Sequence, residues 1–149
     1  MSRAFIKETA ESAPPPERMV EDGPNPVTPE GMRQIDGHIA RIEAAMQSES
    51  NVLLRETLAR DLRYWNVRKS NAEIAHSAAD GTVAFGSTVT IERKGRKQSF
   101  RIVGVDEADA SKGLISFHAP LAKAVMGAKA GDIVEADEPL GEIDIRQVE

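Results

Sequence analysis

The 149-residue chain contains no cysteine. That excludes a disulfide framework, a thiolate zinc site and a cysteine nucleophile. Aromatic residues are scarce at 4%, so a core has to be built from Val, Ile, Leu, Ala and Met. No apolar run approaches the ~18 residues that a membrane span needs. The first residues lack the apolar segment of a secretory signal, so the expected location is the cytoplasm, with no membrane partner. Walker-type and dinucleotide-type glycine loops are missing, and so is a Gly-x-Ser-x-Gly elbow. His38, His76 and His118 have no His or carboxylate partner at metal-site spacing, and no metal, cofactor or catalytic residue is expected. An excess of basic residues is also absent. With 19 Lys and Arg against 24 Asp and Glu, the net charge is −5, which excludes a basic nucleic-acid binder overall but leaves room for a local basic face.

The residues that are present fall into three segments. Residues 1–28 hold Pro14, Pro15, Pro16, Pro24 and Pro26 among an excess of acids. Consecutive prolines cannot join a helix interior or a strand ladder, so this segment is expected to be a flexible, extended tail.

Residues 29–78 read as an antiparallel helical hairpin. Thr28 is a good N-cap and Pro29 suits the first helical position. Apolar residues then recur at Met32, Ile35, Ile39, Ile42 and Met46, the 3-4 spacing of a short coiled-coil seam. Gln47, Ser48, Glu49, Ser50 and Asn51 form a polar turn, with Ser50 or Asn51 able to cap the second helix. A second seam runs through Leu54, Leu58, Leu62 and Trp65. His38 falls on the outer face by this periodicity.

Residues 81–149 carry short β-type runs at 82–85, 87–92, 98–103, 114–117, 133–136 and 142–148. Val89 and Ile91 alternate with Thr88, Thr90 and Glu92, the period of a half-buried strand. Lys94, Gly95, Arg96 and Lys97 read as a hairpin turn, and with Arg93 its cations are a candidate nucleic-acid contact. Asp106, Glu107 and Asp109 place three carboxylates in one loop. Pro120 to Met126 reads as one short helix, started by Pro120 and stopped by Gly127. The predicted class is α+β: a helical hairpin followed by a small antiparallel sheet domain with one helix.

This third segment resembles the C-terminal domain of bacterial Gre-type transcription elongation factors (GreA/GreB). The residues that carry the resemblance are Val83 to Val89, Phe100 to Gly104, Asp106 to Asp109, Leu114 to Ser116, Pro120 to Ala124, Gly131-Asp132 and Gly141-Glu142, in family order. Val27-Thr28-Pro29-Glu30-Gly31 looks like the family's approach to its first helix.

The resemblance implies an FKBP-like C-terminal domain that docks on RNA polymerase beside its secondary channel, and a coiled coil that enters the channel. In the family, two tip acids help hold a catalytic Mg²⁺ and promote cleavage of backtracked RNA. It implies a docking set of Ser116, His118, Ala119, Pro120 and Leu121. The family's Gly-Asp-x-x-Glu-Asn-Ala-x-Tyr tip motif has no counterpart here. The hairpin looks roughly 20 residues short, about 10 per helix, or ~15 Å of reach. Only Glu49 is acidic in the tip formed by Ser48, Glu49, Ser50 and Asn51.

The expected function is a Gre-type regulator, a monomer that binds RNA polymerase and modulates elongation without stimulating cleavage. Nucleic acid within the elongation complex is a further candidate partner. Two alternatives stay open: a cleavage-stimulating factor that uses Glu49, and an FKBP-like interaction module that does not bind polymerase.

Overall fold

The computed structural model describes residues 13–149. The elements are β1 (Asn25–Val27), α1 (Pro29–Ser48), α2 (Val52–Ser70), β2 (Ala72–Ile74), β3 (Thr88–Arg93), β4 (Arg96–Val103), β5 (Leu114–Ser116), α3 (Pro120–Val125), β6 (Ile133–Glu135) and β7 (Glu142–Val148). The class is α+β, as the sequence predicts. The chain divides into two compact units: a helical unit of residues up to Pro24 with Arg33–Ala72, and a sheet unit of Asn25–Met32 with Glu73–Glu149.

In the helical unit, α1 and α2 have 20 and 19 residues, so each is about 30 Å long. Their pairing is antiparallel. Lys69 bonds Asp36 at 2.8 Å, the Trp65 ring stacks on His38 at 4.1 Å, and Arg55 reaches the Met46 carbonyl, so partners descend on one helix as they rise on the other.

The first seam lies as predicted, with Ile35 buried and Met32, Ile39, Ile42 and Met46 half-buried. The second starts one residue earlier than expected. Leu53 is half-buried while Leu54 is 51% exposed. Trp65 is followed on the same face by a buried Arg68. His38 is not on the outer face. It lies three residues beyond Ile35, at the seam's edge, where a flat ring can cover the Trp65 indole.

The N-terminal segment differs from a flexible tail in both of its described parts. Its first 12 residues lie outside the described region. Residues 13–24 have no regular structure but touch the hairpin: Glu17 pairs with Arg63, and the Arg18 guanidinium sits 3.7 Å over the Tyr64 ring centre and 3.5 Å from Asp61. Asn25–Val27 is a strand paired with β2, and Asn25, Val27 and Thr28 are buried. Only the residues with three consecutive prolines are barred from a ladder; Asn25 and Val27 are free to pair.

The sheet unit is built on five strands in the order β5-β4-β3-β7-β6. Three of the four pairings are antiparallel, but β4 and β5 run parallel, so the sheet is mixed rather than wholly antiparallel. Two 3₁₀ turns between β4 and β5 bring the chain back alongside in the same direction. Val89 and Ile91 of β3, Phe100 and Ile102 of β4, and Ile143 and Ile145 of β7 meet Ala122 and Val125 of α3 in one core.

The run at 82–85 forms only an isolated bridge, Thr82 to Lys129, because Gly81 and Gly86 both take positive φ and end it on either side. Lys94 and Gly95 alone make the β3–β4 turn. Both have positive φ, +53° and +75°, the two-residue form whose twist matches the strands, so Arg96 and Lys97 belong to β4.

Candidate docking site

The predicted docking residues come together in the turn between β5 and α3. The Phe117 N–H donates to the Val103 carbonyl, which pins the turn to β4. The Ser116 hydroxyl accepts from the His118 N–H at 3.1 Å, and the Ser116 carbonyl accepts from the Ala119 N–H at 2.8 Å. Ala119 is the N-cap of α3, without a side-chain cap bond, and Pro120 takes the first helical position. The turn is thereby shaped by its own backbone. His118 and Pro120 are exposed, whereas Leu121 is half-buried against the core and so also serves the fold. The Phe117 ring meets Phe85 edge-on at 5.7 Å and lies 4.0 Å from the His118 ring.

Pro120 is also one wall of a groove of about 510 Å³. Lys123 and Ala124 of α3 continue that wall, and Val134, Ala136 and Leu140 face them from β6 and the loop after it. Glu135, Asp137 and Glu138 line the groove too, so carboxylates outnumber the single Lys123 ammonium. An apolar floor with an acid rim favours an apolar side chain flanked by cations. Sequence reasoning missed the β6 side. The available signal was Val134 and Ala136 alternating with Glu135.

The three-carboxylate loop is not one cluster. Glu107 is buried, and its Oε2 accepts from the N–H groups of Thr28 at 3.1 Å and Gly104 at 3.0 Å, while Oε1 accepts from the Thr28 hydroxyl. The Thr28 hydroxyl in turn accepts from the Gly31 N–H at 3.0 Å, the N-cap bond of α1. A carboxylate at a helix N-terminus is further favoured by the helix dipole. A Cβ on Gly31 would collide with the Glu107 carboxylate, which is why that position is glycine. Two sequence stretches 79 residues apart thus close on each other inside the sheet unit. Asp109 instead caps the second 3₁₀ turn, and the bonds from Ser111 hold its carboxyl below the usual carboxylate range. Among the described residues no group of three His, Asp or Glu is arranged to hold a metal ion.

At the hairpin tip the Glu49 carboxylate accepts from the Asn51 N–H at 2.9 Å, and the Asn51 side chain accepts from the Leu54 N–H at 3.1 Å. Arg55 donates to the Met46 carbonyl and, at 2.9 Å, to the Glu49 carbonyl, satisfying the last groups of α1. Glu49 is thereby part of the turn's own bonding. Ser48 ends α1, where its hydroxyl is 3.4 Å from the Ala45 carbonyl, and Ser50 is exposed.

The basic hairpin is only partly free. Arg93 and Lys94 donate to the backbone carbonyls of the loop after β6: Lys94 Nζ to Pro139 at 2.9 Å, and Arg93 Nη1 to Pro139 and Leu140 at 3.4 Å. Arg96 and Lys97 are exposed. No helix among the described residues is long and apolar enough to cross a membrane.

Known proteins share the sequence of this sheet unit. The family profile described as "Transcription elongation factor, GreA/GreB, C-term" matches residues 78–149. A transcription elongation factor GreA of Alkalilimnicola ehrlichii is 41% identical over 85 residues, covering 54% of this chain and 54% of that protein. One of Nautilia profundicola is 39% identical over 104 residues, covering 68% of this chain and 62% of that protein. The chain therefore spans 54% to 62% of the length of these two relatives. Among solved structures, GreA factor homolog 1 of Thermus thermophilus is similar at 19% identity, with a TM-score of 0.41, over 85% of this chain and 99% of that one. The shared sequence, rather than that superposition, carries the assignment. Residues 78–149 match the GreA/GreB C-terminal domain in sequence, and that domain is what this chain is similar to.

Proposed function

We propose that this protein is a regulator of transcription elongation that docks on RNA polymerase through the sheet unit and does not itself promote transcript cleavage. The docking surface is the Ser116–Leu121 turn with the groove beside Pro120. The groove's acid rim suits a polymerase segment that offers an apolar anchor between basic residues. The relatives named transcription elongation factor GreA support the general class.

One observation carries the second half of the proposal. The only acid in the tip, Glu49, already accepts the Asn51 N–H that shapes the turn. A lone carboxylate in that role is poorly placed to lend charge to a catalytic Mg²⁺, which requires oxygen ligands at about 2.1 Å. The cleavage-stimulating alternative would need Glu49 to leave its turn. The polymerase-independent FKBP-like module gains no support either, because no aromatic ring lines the groove.

Binding of the full chain to core RNA polymerase, followed by biolayer interferometry, tests the docking. Micromolar or tighter binding is expected, and Pro120→Asp should weaken it at least about ten-fold, or ~1.4 kcal/mol. Absence of binding at tens of micromolar would overturn the proposal.

A further inference from the structure

The cations of the β3–β4 hairpin do not share one face. The register sets Arg93 opposite Arg96, Glu92 opposite Lys97 and Ile91 opposite Gln98. Directly opposed residues point to the same side of a sheet, and the sides alternate along each strand. Arg93, Arg96 and Gln98 are therefore on the side of Val89 and Ile91, beyond the end of the core. Lys97 is on the other side, across from Glu92. With Lys94 from the turn, the first three line a cleft of about 410 Å³.

This arrangement is unfavourable unless something negative enters it. Like charges directly opposed across two strands destabilise the pair. The protein has 24 carboxylates, yet among the described residues none lies in ion-pair range of Arg93, Lys94, Arg96 or Lys97. The bonds that Arg93 and Lys94 do make go to neutral backbone carbonyls, so their charge is not cancelled. The Arg93 Nε is buried without an acceptor. A buried N–H left unpaired is costly, and an anion in the cleft would offset the opposed charges of Arg93 and Arg96. The frame is also set in place. Lys94 holds a positive φ that a lysine rarely takes, and its ammonium is tied to Pro139.

We propose that this cleft binds phosphate groups, with Arg93, Lys94 and Arg96 supplying charge and the Gln98 amide a neutral donor. A nucleic-acid backbone and a free oligophosphate present the same chemistry. The site is a property of the sheet unit alone and does not depend on polymerase docking.

The test uses the full chain at low salt with two probes, a fluorescein-labelled single-stranded oligouridylate and inorganic tripolyphosphate. Anisotropy reads the first, and the shift of the Gln98 side-chain amide resonance reads the second. Arg96→Gln and Lys97→Gln remove the same charge from opposite faces, and neither residue holds the fold together. Arg96→Gln should weaken binding about ten-fold or more and reduce the salt slope of log K by roughly one unit, with Lys97→Gln changing it less than about two-fold. That pattern with the oligouridylate assigns the site to nucleic-acid backbone, and the same pattern with tripolyphosphate alone assigns it to free oligophosphate. Equal weakening by both variants, or no response to either probe, would overturn the proposal.

Discussion

The sheet unit buries ten residues in one cluster, from Val83 to Ile145, whereas Ile35 and Trp65 are the only apolar side chains buried in the described helical unit. The first is held by packing. The second has a seam that is mostly half-buried, supported by a few contacts: the Asn51 cap, the Arg55 bonds to the tip carbonyls, the Asp36–Lys69 pair and the His38–Trp65 stack. Packing tolerates little change in side-chain volume, while caps and surface pairs can be rebuilt with many sequences. The sequence matched by the GreA/GreB profile accordingly lies in the sheet unit.

The largest effect should come from the packed side. Phe100 is 2% exposed, and Phe100→Ala should cost about 3–5 kcal/mol in urea unfolding followed by circular dichroism. A loss below ~2 kcal/mol would mean that the two units are less different than described. Next comes the polar contact buried inside the sheet unit. Glu107→Gln puts an NH₂ where an oxygen now accepts from Thr28 or Gly104, and should cost roughly 1–3 kcal/mol by the same measurement.

The tip is weaker. Asn51→Ala removes the cap of α2 and should cost about 1 kcal/mol, with a small loss of helical signal confined to the hairpin. The smallest effect belongs to residues 17–18. Arg18→Ala should change stability by under about 1 kcal/mol, yet shift the emission of Trp65, the only tryptophan, because the cation over its ring is gone. Hydrogen bonding by Arg63 holds the Glu17 carboxyl below the usual carboxylate range. A lowered carboxyl pKa contributes above the unfolded value of 4.5 and is lost as pH falls through the folded one. Acidification below pH 4.5 should therefore release this contact first, and Trp65 emission should move before the sheet unit unfolds.

Local features were legible in the sequence. The alternation at Val89 and Ile91, the seam from Met32 to Met46, the Thr28 cap and the Pro120 start of α3 each depend on neighbours within a few residues. The features that were not legible depend on residues far apart. Nothing in the loop at 106–109 announces that Glu107 closes on Thr28, 79 residues earlier. The choice between Leu53 and Leu54 turns on one residue of helix phase, which a five-residue polar turn does not fix. The division of Arg96 from Lys97 depends on where the β3–β4 turn ends. The turn at 116–121 was placed from its motif, while the other wall of the groove beside it needed the β6–β7 pairing.

The proposed factor docks on polymerase without promoting cleavage. RNA cleavage in backtracked elongation complexes tests it directly, with this protein alone and together with a cleavage-active GreA. No shortened transcripts from this protein alone and a dose-dependent loss of GreA-stimulated cleavage are expected. Shortened transcripts from this protein alone, or no effect on GreA at saturating concentration, would contradict it.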